Sequence, residues 1–143
     1  MGWLQLCADA QGLCGVHFAP QPGPDRGDCP VLTLAAAQLD EYFAGQRRQF
    51  TLPLSLNGQG TPFQRRVWAA LCRIPYGTTC SYGELAAAVG CPRGARAVGM
   101  ANHNNPLAIV VPCHRVVNRG SGLGGYAGGL AIKQQLLALE GAR

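Results

Sequence analysis

The side chains of this 143-residue chain that could do chemistry gather near its end. Pro112-Cys113-His114-Arg115-Val116 sets a thiol beside an imidazole after the apolar, strand-like run Leu107 to Val111. A cysteine is a nucleophile only as thiolate, so a pKa of about 8.5 must be lowered or the proton taken by a base. Neighbours on a regular strand point to opposite faces. His114 therefore serves Cys113 only through a bend, which Pro112 supports, or through a relaying water. By itself such an adjacency more often marks a buried cysteine beside a hydrogen-bonded histidine. Glu140 adds a third group. It follows Lys133 and Leu137 at i, i+4 and i+7, on the flank of an Ile132/Leu136/Leu139 stripe in a last helix over Leu130–Leu139. A carboxylate there can orient His114 and complete a Cys-His-Glu constellation.

The elements that must position these groups have clear punctuation. Thr61-Pro62-Phe63-Gln64 offers a capping threonine, a proline at the first helical position and a glutamine at N3. The helix it opens buries Phe63, Val67, Ala70 and Leu71 and stops at Ile74-Pro75-Tyr76-Gly77. Ser81-Tyr82-Gly83-Glu84 is a second capping box, opening a short helix through Leu85 and Val89. The turn Gly90-Cys91-Pro92-Arg93-Gly94 leads to a third helix from Ala95 to about His103, stopped by Asn105-Pro106. Short helix, glycine-containing turn, short helix is the pattern of a helix-turn-helix. In a DNA-binding version, Arg93 and Arg96 near the start of the second helix face the groove, while Asn102 and His103 on the same helix are expected to be solvated. Gly120 to Gly129 holds six glycines in ten positions around Tyr126 and permits close approach to a flat ligand.

Upstream, Trp3–Cys7 and Leu13–Phe18 are expected as two short strands joined by an Ala8-to-Gly12 turn. Residues 20–30 form a proline-rich loop, and Val31–Ala44 a helix with Leu32, Ala35, Ala36, Leu39, Tyr42 and Phe43 on its apolar side. Phe50–Leu56 is extended and Asn57–Gly60 a linker. The fold class is α+β: a small α/β N-terminal domain over 1–60, then a mainly helical domain over 61–143 with a helix-turn-helix.

Composition bounds the partners. With 48% hydrophobic and 13% charged residues the chain is not disordered. Its longest apolar run is far too short to span a bilayer, and its start has no basic, cleavable leader, so an intracellular protein is expected. Its seven cysteines form no CxxC pair; no metal and no cofactor are expected, and most of the thiols read as small buried hydrophobes. The net charge of +5 is divided unevenly, −2 over residues 1–60 and +7 over 61–143, and eleven of twelve basic residues are arginine. A basic half beside an acidic one points to a polyanion, and nucleic acid fits best.

Taken together, Arg96-Ala97-Val98-Gly99-Met100-Ala101, Asn105-Pro106, Pro112-Cys113-His114-Arg115-Val116 and Gly124-Gly125-Tyr126-Ala127-Gly128-Gly129, followed by Lys133, Leu136-Leu137 and Glu140, resemble the signature block of the O6-alkylguanine-DNA alkyltransferases. The match covers 61–143; residues 1–60 resemble that family's N-terminal domain only loosely. The resemblance implies that Cys113 accepts an alkyl group from a base flipped out of double-stranded DNA, irreversibly and once per molecule. His114 would be base through a water, Glu140 its orienter, and Asn105 the holder of the turn that presents Cys113. Arg96 would fill the gap left by the base, and Tyr82 would press on a phosphate and bond the guanine. Backbone carbonyls of Cys113 and Val116 would take the exocyclic amine, the Ala127 amide would face O6, and Tyr126 would wall a pocket that also includes Gly124 and Lys133. Arg65, Arg66, Arg73, Arg93 and Arg119 would touch phosphates without reading sequence. A monomer in the cytoplasm, or in the nucleus of a eukaryote, follows. The competing readings are a non-catalytic lesion sensor, which lacks the acceptor thiol, a transcriptional regulator, and a thiol hydrolase, which has no use for Arg96 or Tyr82.

Overall fold

A computed structural model describes residues 2–23, 29–56, 58–118 and 122–142. The chain divides into two compact units, Met1–Asn57 with Pro106–Val110, and Gly58–Asn105 with Val111–Arg143. The division expected at residue 60 is corrected for 106–110, which pack with the first unit.

In the first unit β1 (Trp3–Asp9) pairs antiparallel with β2 (Gly12–Ala19), the register running from Trp3↔Ala19 to Asp9↔Gly12 with an irregularity at Cys7/Ala8. The Asp9 carboxylate closes the turn by accepting from the Gln11 and Gly12 amides at 2.8 and 3.2 Å. Leu13 and Val16 are buried on β2. Helix α1 (Pro30–Phe43) buries Ala35, Gln38, Leu39 and Tyr42. Ala36 is exposed, and Leu32 and Phe43 are half-buried. Gln38 was not expected inside. It is tolerated because its amide and the Thr51 backbone and hydroxyl satisfy one another at 2.9 Å. The expected extended stretch 50–56 makes one isolated bridge, Leu13↔Leu54, and is not a ladder strand. The run Leu107–Val111 is likewise not a strand: Leu107 bridges Val16, and the residues after it turn, with Ile109 at φ 71°. Pro24–Asp28, within the expected loop, lie outside the described residues.

The second unit is built on α2 (Pro62–Leu71), β3 (Cys80–Ser81), α3 (Tyr82–Ala88), α4 (Ala95–His103), a 3₁₀ turn (Cys113–Arg115), β4 (Val116–Val117) and α5 (Leu130–Leu139). Both capping boxes form. The Thr61 hydroxyl accepts from the Gln64 amide while the Gln64 side chain accepts from Thr61 N, and Ser81 and Glu84 do the same. Val67, Trp68 and Leu71 carry the buried face of α2; Phe63 and Ala70 are only half-buried. The Trp68 indole donates to the Ala101 carbonyl at 2.8 Å, fastening α2 to α4. Helices α3 and α4 with the turn at Gly90 (φ 79°) form the helix-turn-helix. The parallel pairing of β3 with β4, Cys80↔Val116 and Ser81↔Val117, had no legible pattern, because two residues are too few to alternate.

On α5 the expected Ile132/Leu136/Leu139 stripe is fully buried only at Leu136. Lys133, Leu136, Leu137 and Glu140 are buried, whereas Ile132 and Leu139 are half-buried. Among the cysteines only Cys113 is buried; Cys72 is exposed and the other five are intermediate, which corrects the expectation of mostly buried thiols.

Candidate active site

The site lies wholly in the second unit and begins with the local path of the chain. Asn105, where the chain leaves that unit, donates from Nδ2 to the carbonyl of Val111, where it returns, at 2.8 Å. The same side chain hydrogen-bonds the Cys113 thiol. Pro112 then caps a 3₁₀ turn that carries Cys113, His114 and Arg115. This turn supplies the bend a strand lacks. Cys113 is 5% exposed, and burial pushes its thiol up, opposed by the Asn105 hydrogen bond and the Lys133 charge.

His114 is fully buried. Its Nε2 lies 2.7 Å from Oε2 of Glu140. Helix α5 sets that carboxylate at its C-cap, where Gly141 (φ 75°) and Ala142 return their amides to the carbonyls of Ala138 and Leu137 in a Schellman motif. A carboxylate accepts only, so Nε2 carries the proton and Nδ1 presents a lone pair. Nδ1 has no hydrogen-bond partner among the described residues. Burial lowers the His114 pKa, against the pull of Glu140, and leaves a neutral imidazole with a vacant basic nitrogen. His114 and Cys113 share no direct hydrogen bond, in keeping with a water between them.

Arg115, the last residue of the 3₁₀ turn, is a functional side chain that the motif alone does not assign. Its Nε and Nη2 grip Glu140 at 2.8 and 3.1 Å, and Nη1 donates to the Ile74 carbonyl at 2.7 Å. The buried carboxylate is thus charge-balanced and aimed by a two-point guanidinium clamp. Its signal in the sequence is only its adjacency to His114; the pairing needs the end of α5 folded against the turn.

Beside this network opens a cavity of about 900 Å³. Tyr82, Gly124, Tyr126, Ala127, Gly99 and Asn102 are among its lining. Tyr82, at the start of α3, donates to the Gly125 carbonyl at 3.4 Å, and burial raises its pKa, so it is a phenol that can donate. Gly124 has φ 73°, and a Cβ there would meet the Tyr82 hydroxyl at 2.7 Å, so only glycine lets the loop pass the ring. Burial strongly raises the pKa of Tyr126, and the neighbouring Cys113 sulfur adds to the rise. Cys113 is not among the lining residues; Asn102, which is, donates to its carbonyl. Val116 and Lys133 do not line the cavity either, both being 0% exposed. They hold its wall: Lys133 Nζ donates to the carbonyls of Val116 and Gly125, tying the glycine loop to β4.

The expected phosphate-binding arginines separate. Arg93 in the turn before α4, Arg96 in the first turn of that helix, and Arg66 and Arg73 are exposed. Arg65 is half-buried and donates to the carbonyls of Gln59 and Gly60. Arg119 lies outside the described residues. Asn102, expected to be solvated, is 3% exposed and donates to the Cys113 carbonyl at 3.3 Å, because the inner face of α4 turns it toward the 3₁₀ turn. His103 is exposed, as expected. Among the described residues no group of three or more His, Cys, Asp or Glu could hold a metal, and no helix is long and apolar enough to cross a membrane.

A helix-turn-helix unit with a buried thiol next to a neutral imidazole places the chain in the class of nucleic-acid-binding proteins with a candidate reactive sulfur. Comparison with known proteins gives the family. Residues 62–142 match the profile described as 6-O-methylguanine DNA methyltransferase, DNA binding domain, and residues 1–56 that of its ribonuclease-like domain. The chain belongs to the 6-O-methylguanine DNA methyltransferase family. The methylated-DNA–protein-cysteine methyltransferase of Mycobacterium bovis is 50% identical over 127 residues, covering 89% of this chain and 72% of its own. That of Methanosarcina acetivorans is 44% identical over 150 residues, covering 99% and 94%. A structure of Mycobacterium tuberculosis OGT in complex with DNA superposes with a TM-score of 0.87 at 45% identity, covering 97% of this chain and 86% of that one.

Proposed function

We infer that this chain performs direct-reversal DNA repair as a methylated-DNA–protein-cysteine methyltransferase, taking the alkyl group of O6-alkylguanine in double-stranded DNA onto Cys113. The observation that supports the assignment of the acceptor is the buried network in which Asn105 bonds the Cys113 sulfur while Glu140 fixes the neighbouring His114 with Nδ1 vacant.

The step balances without a cofactor. His114 takes the thiol proton through one water, and Glu140 stabilises the imidazolium. The sulfur attacks the alkyl carbon in line as the carbon–O6 bond breaks, its electron pair passing to the guanine. Tyr82 gives its phenolic proton to the departing guanine and is reprotonated from the His114 imidazolium through water, so the guanine ends neutral and unalkylated. The product is a thioether with no good leaving group, so each molecule acts once. Reaching O6 requires the base to leave the stack, at roughly a few kcal/mol and least for a poorly paired lesion. Arg96 enters the vacancy from the minor groove. Arg93, Arg66 and Arg73 neutralise phosphates, and Arg65 and Arg119 join them. Tyr126, the Ala127 amide and Gly124 form the pocket for the base, backed by Val116 and Lys133. The unit at residues 1–57 supports this one.

Chromosomal DNA and a reduced thiol occur together in the cytoplasm, or in a eukaryotic nucleus, and the protein works there as a monomer. Intact mass after incubation with a duplex containing O6-methylguanine tests the acceptor. The chain should gain one methyl group stoichiometrically, and Cys113→Ser none. Tight lesion binding with unchanged mass would mean a sensor instead.

A further inference from the structure

Leu13 and Val16 are buried three positions apart on β2, where a regular strand buries every second residue. The backbone repeats the irregularity. Leu13 bonds Pro53 and Ser55, and Val16 bonds Pro106 and Ala108, all on the edge away from β1. The register accounts for both. Cys7 faces Gly15 and Ala8 faces Leu13, which leaves Cys14 as the extra residue of a β-bulge, two residues opposing one. Cys14 and Gly15 therefore both turn from the core, onto the face that carries Cys7. A Cβ built on Gly15 would lie 3.4 Å from Cβ of Cys7 and 3.0 Å from Nε2 of His17. The two thiols and the imidazole thus crowd around a glycine, the one residue that leaves them room. Both thiols are reduced and half-buried, and burial, then the charges of Asp9 and Cys7, push the Cys14 thiol up. Paired strands hold opposing Cα atoms about 4.5–5.5 Å apart, within the span of about 4.4–6.8 Å that a disulfide needs.

We propose that Cys7 and Cys14 are a redox-modification site, which a low-molecular-weight disulfide, oxidised glutathione, converts to an intramolecular disulfide. The Cys7 sulfur attacks one sulfur of oxidised glutathione, and its proton passes by way of His17 to the released glutathione thiolate. The Cys14 sulfur then attacks the sulfur of Cys7, and the second glutathione leaves with the Cys14 proton. The protein thiols lose two electrons and two protons, and one glutathione disulfide becomes two thiols. The site lies in the first unit, and Cys113 is 5% exposed, so the pair oxidises while Cys113 stays reduced. The inference holds whichever residue accepts an alkyl group.

The test treats the folded full chain with oxidised glutathione, then unfolds it in urea with iodoacetamide and maps tryptic masses. Residues 1–26 form one tryptic peptide whose only cysteines are Cys7 and Cys14. That peptide should be lighter by two hydrogens and take no carbamidomethyl group, and should take two after reduction. The peptide holding Cys113 should take one group and carry no glutathione. Cys14→Ser should trap the mixed disulfide, a gain of one glutathione on Cys7, and Cys7→Ser should form no internal bond. Closure should be roughly tenfold faster in the folded chain than in urea, where strand pairing no longer holds the sulfurs together. Two glutathiones on peptide 1–26, two carbamidomethyl groups after the oxidant, or closure no faster than in urea would overturn the proposal.

Discussion

Burial raises the Cys113 thiol and lowers the His114 imidazole, so the resting site holds two neutral groups and not a thiolate–imidazolium pair. In the proposed step the charges appear only as the proton moves, with the Glu140 carboxylate 2.7 Å from the new imidazolium. Two measurements follow. The rate of methyl gain should hold as pH falls from 7.5 to 6.5, because His114 titrates below its ordinary 6.5, and should drop only at lower pH as the base is protonated. A maximum on the acid side would contradict a neutral base. Stability follows the same group with the opposite reference. The unfolded imidazole takes a proton near 6.5 that the folded one still refuses, so the melting temperature should fall as pH drops below 6.5, and less so in His114→Gln. Glu140→Gln removes the orienting charge and leaves Arg115 without its partner. It should slow transfer about a hundredfold and also cost stability. An unchanged rate in that variant would remove Glu140 from the mechanism.

At the scale of elements, the site depends on how short segments begin and turn. Ser81 caps α3 immediately before Tyr82, so Ser81→Ala should lower unfolding stability by about 1 kcal/mol, read from urea denaturation. Gly124 serves a different end. At φ 73° and against the Tyr82 ring, an alanine must displace either the loop or the phenol. Gly124→Ala should therefore lose most methyl transfer while keeping the helical content of the fold by circular dichroism. Full activity in that variant would show that Tyr82 need not sit where it does.

For the molecule as a whole, the charge of +7 over residues 61–143 and the exposed arginines Arg66, Arg73, Arg93 and Arg96 imply binding governed by phosphate neutralisation. Replacing Arg66, Arg73 or Arg93 should weaken duplex binding alike across sequences and reduce the salt slope by about 1 each. Arg96→Ala should behave otherwise. Transfer from a duplex should fall roughly tenfold or more, since the vacancy is left unfilled, while transfer from free O6-methylguanine changes little. Equal losses on both substrates would contradict a role in the stack.

Local signals wrote much of this protein in advance. Both capping boxes, the helix-turn-helix spacing, the hairpin at Asp9–Gly12 and the motif around Cys113 and His114 depend on residues within a few positions of one another, where chemistry and backbone geometry act directly. The partner of His114 was legible because α5 is regular and carries few polar groups. Tertiary structure decided the rest, where the deciding contact lies far along the chain. It buried Lys133 and Glu140 beside Leu136 and left Ile132 and Leu139 half-buried, since the lysine finds the carbonyls of Val116 and Gly125 and the glutamate finds Arg115 and His114. Leu107–Val111 became a turn, because its pairing with Val16 ends after one bridge. Asn102 came inside on the same ground: a polar side chain is buried when the fold brings it an acceptor, and the Cys113 carbonyl is eleven residues away.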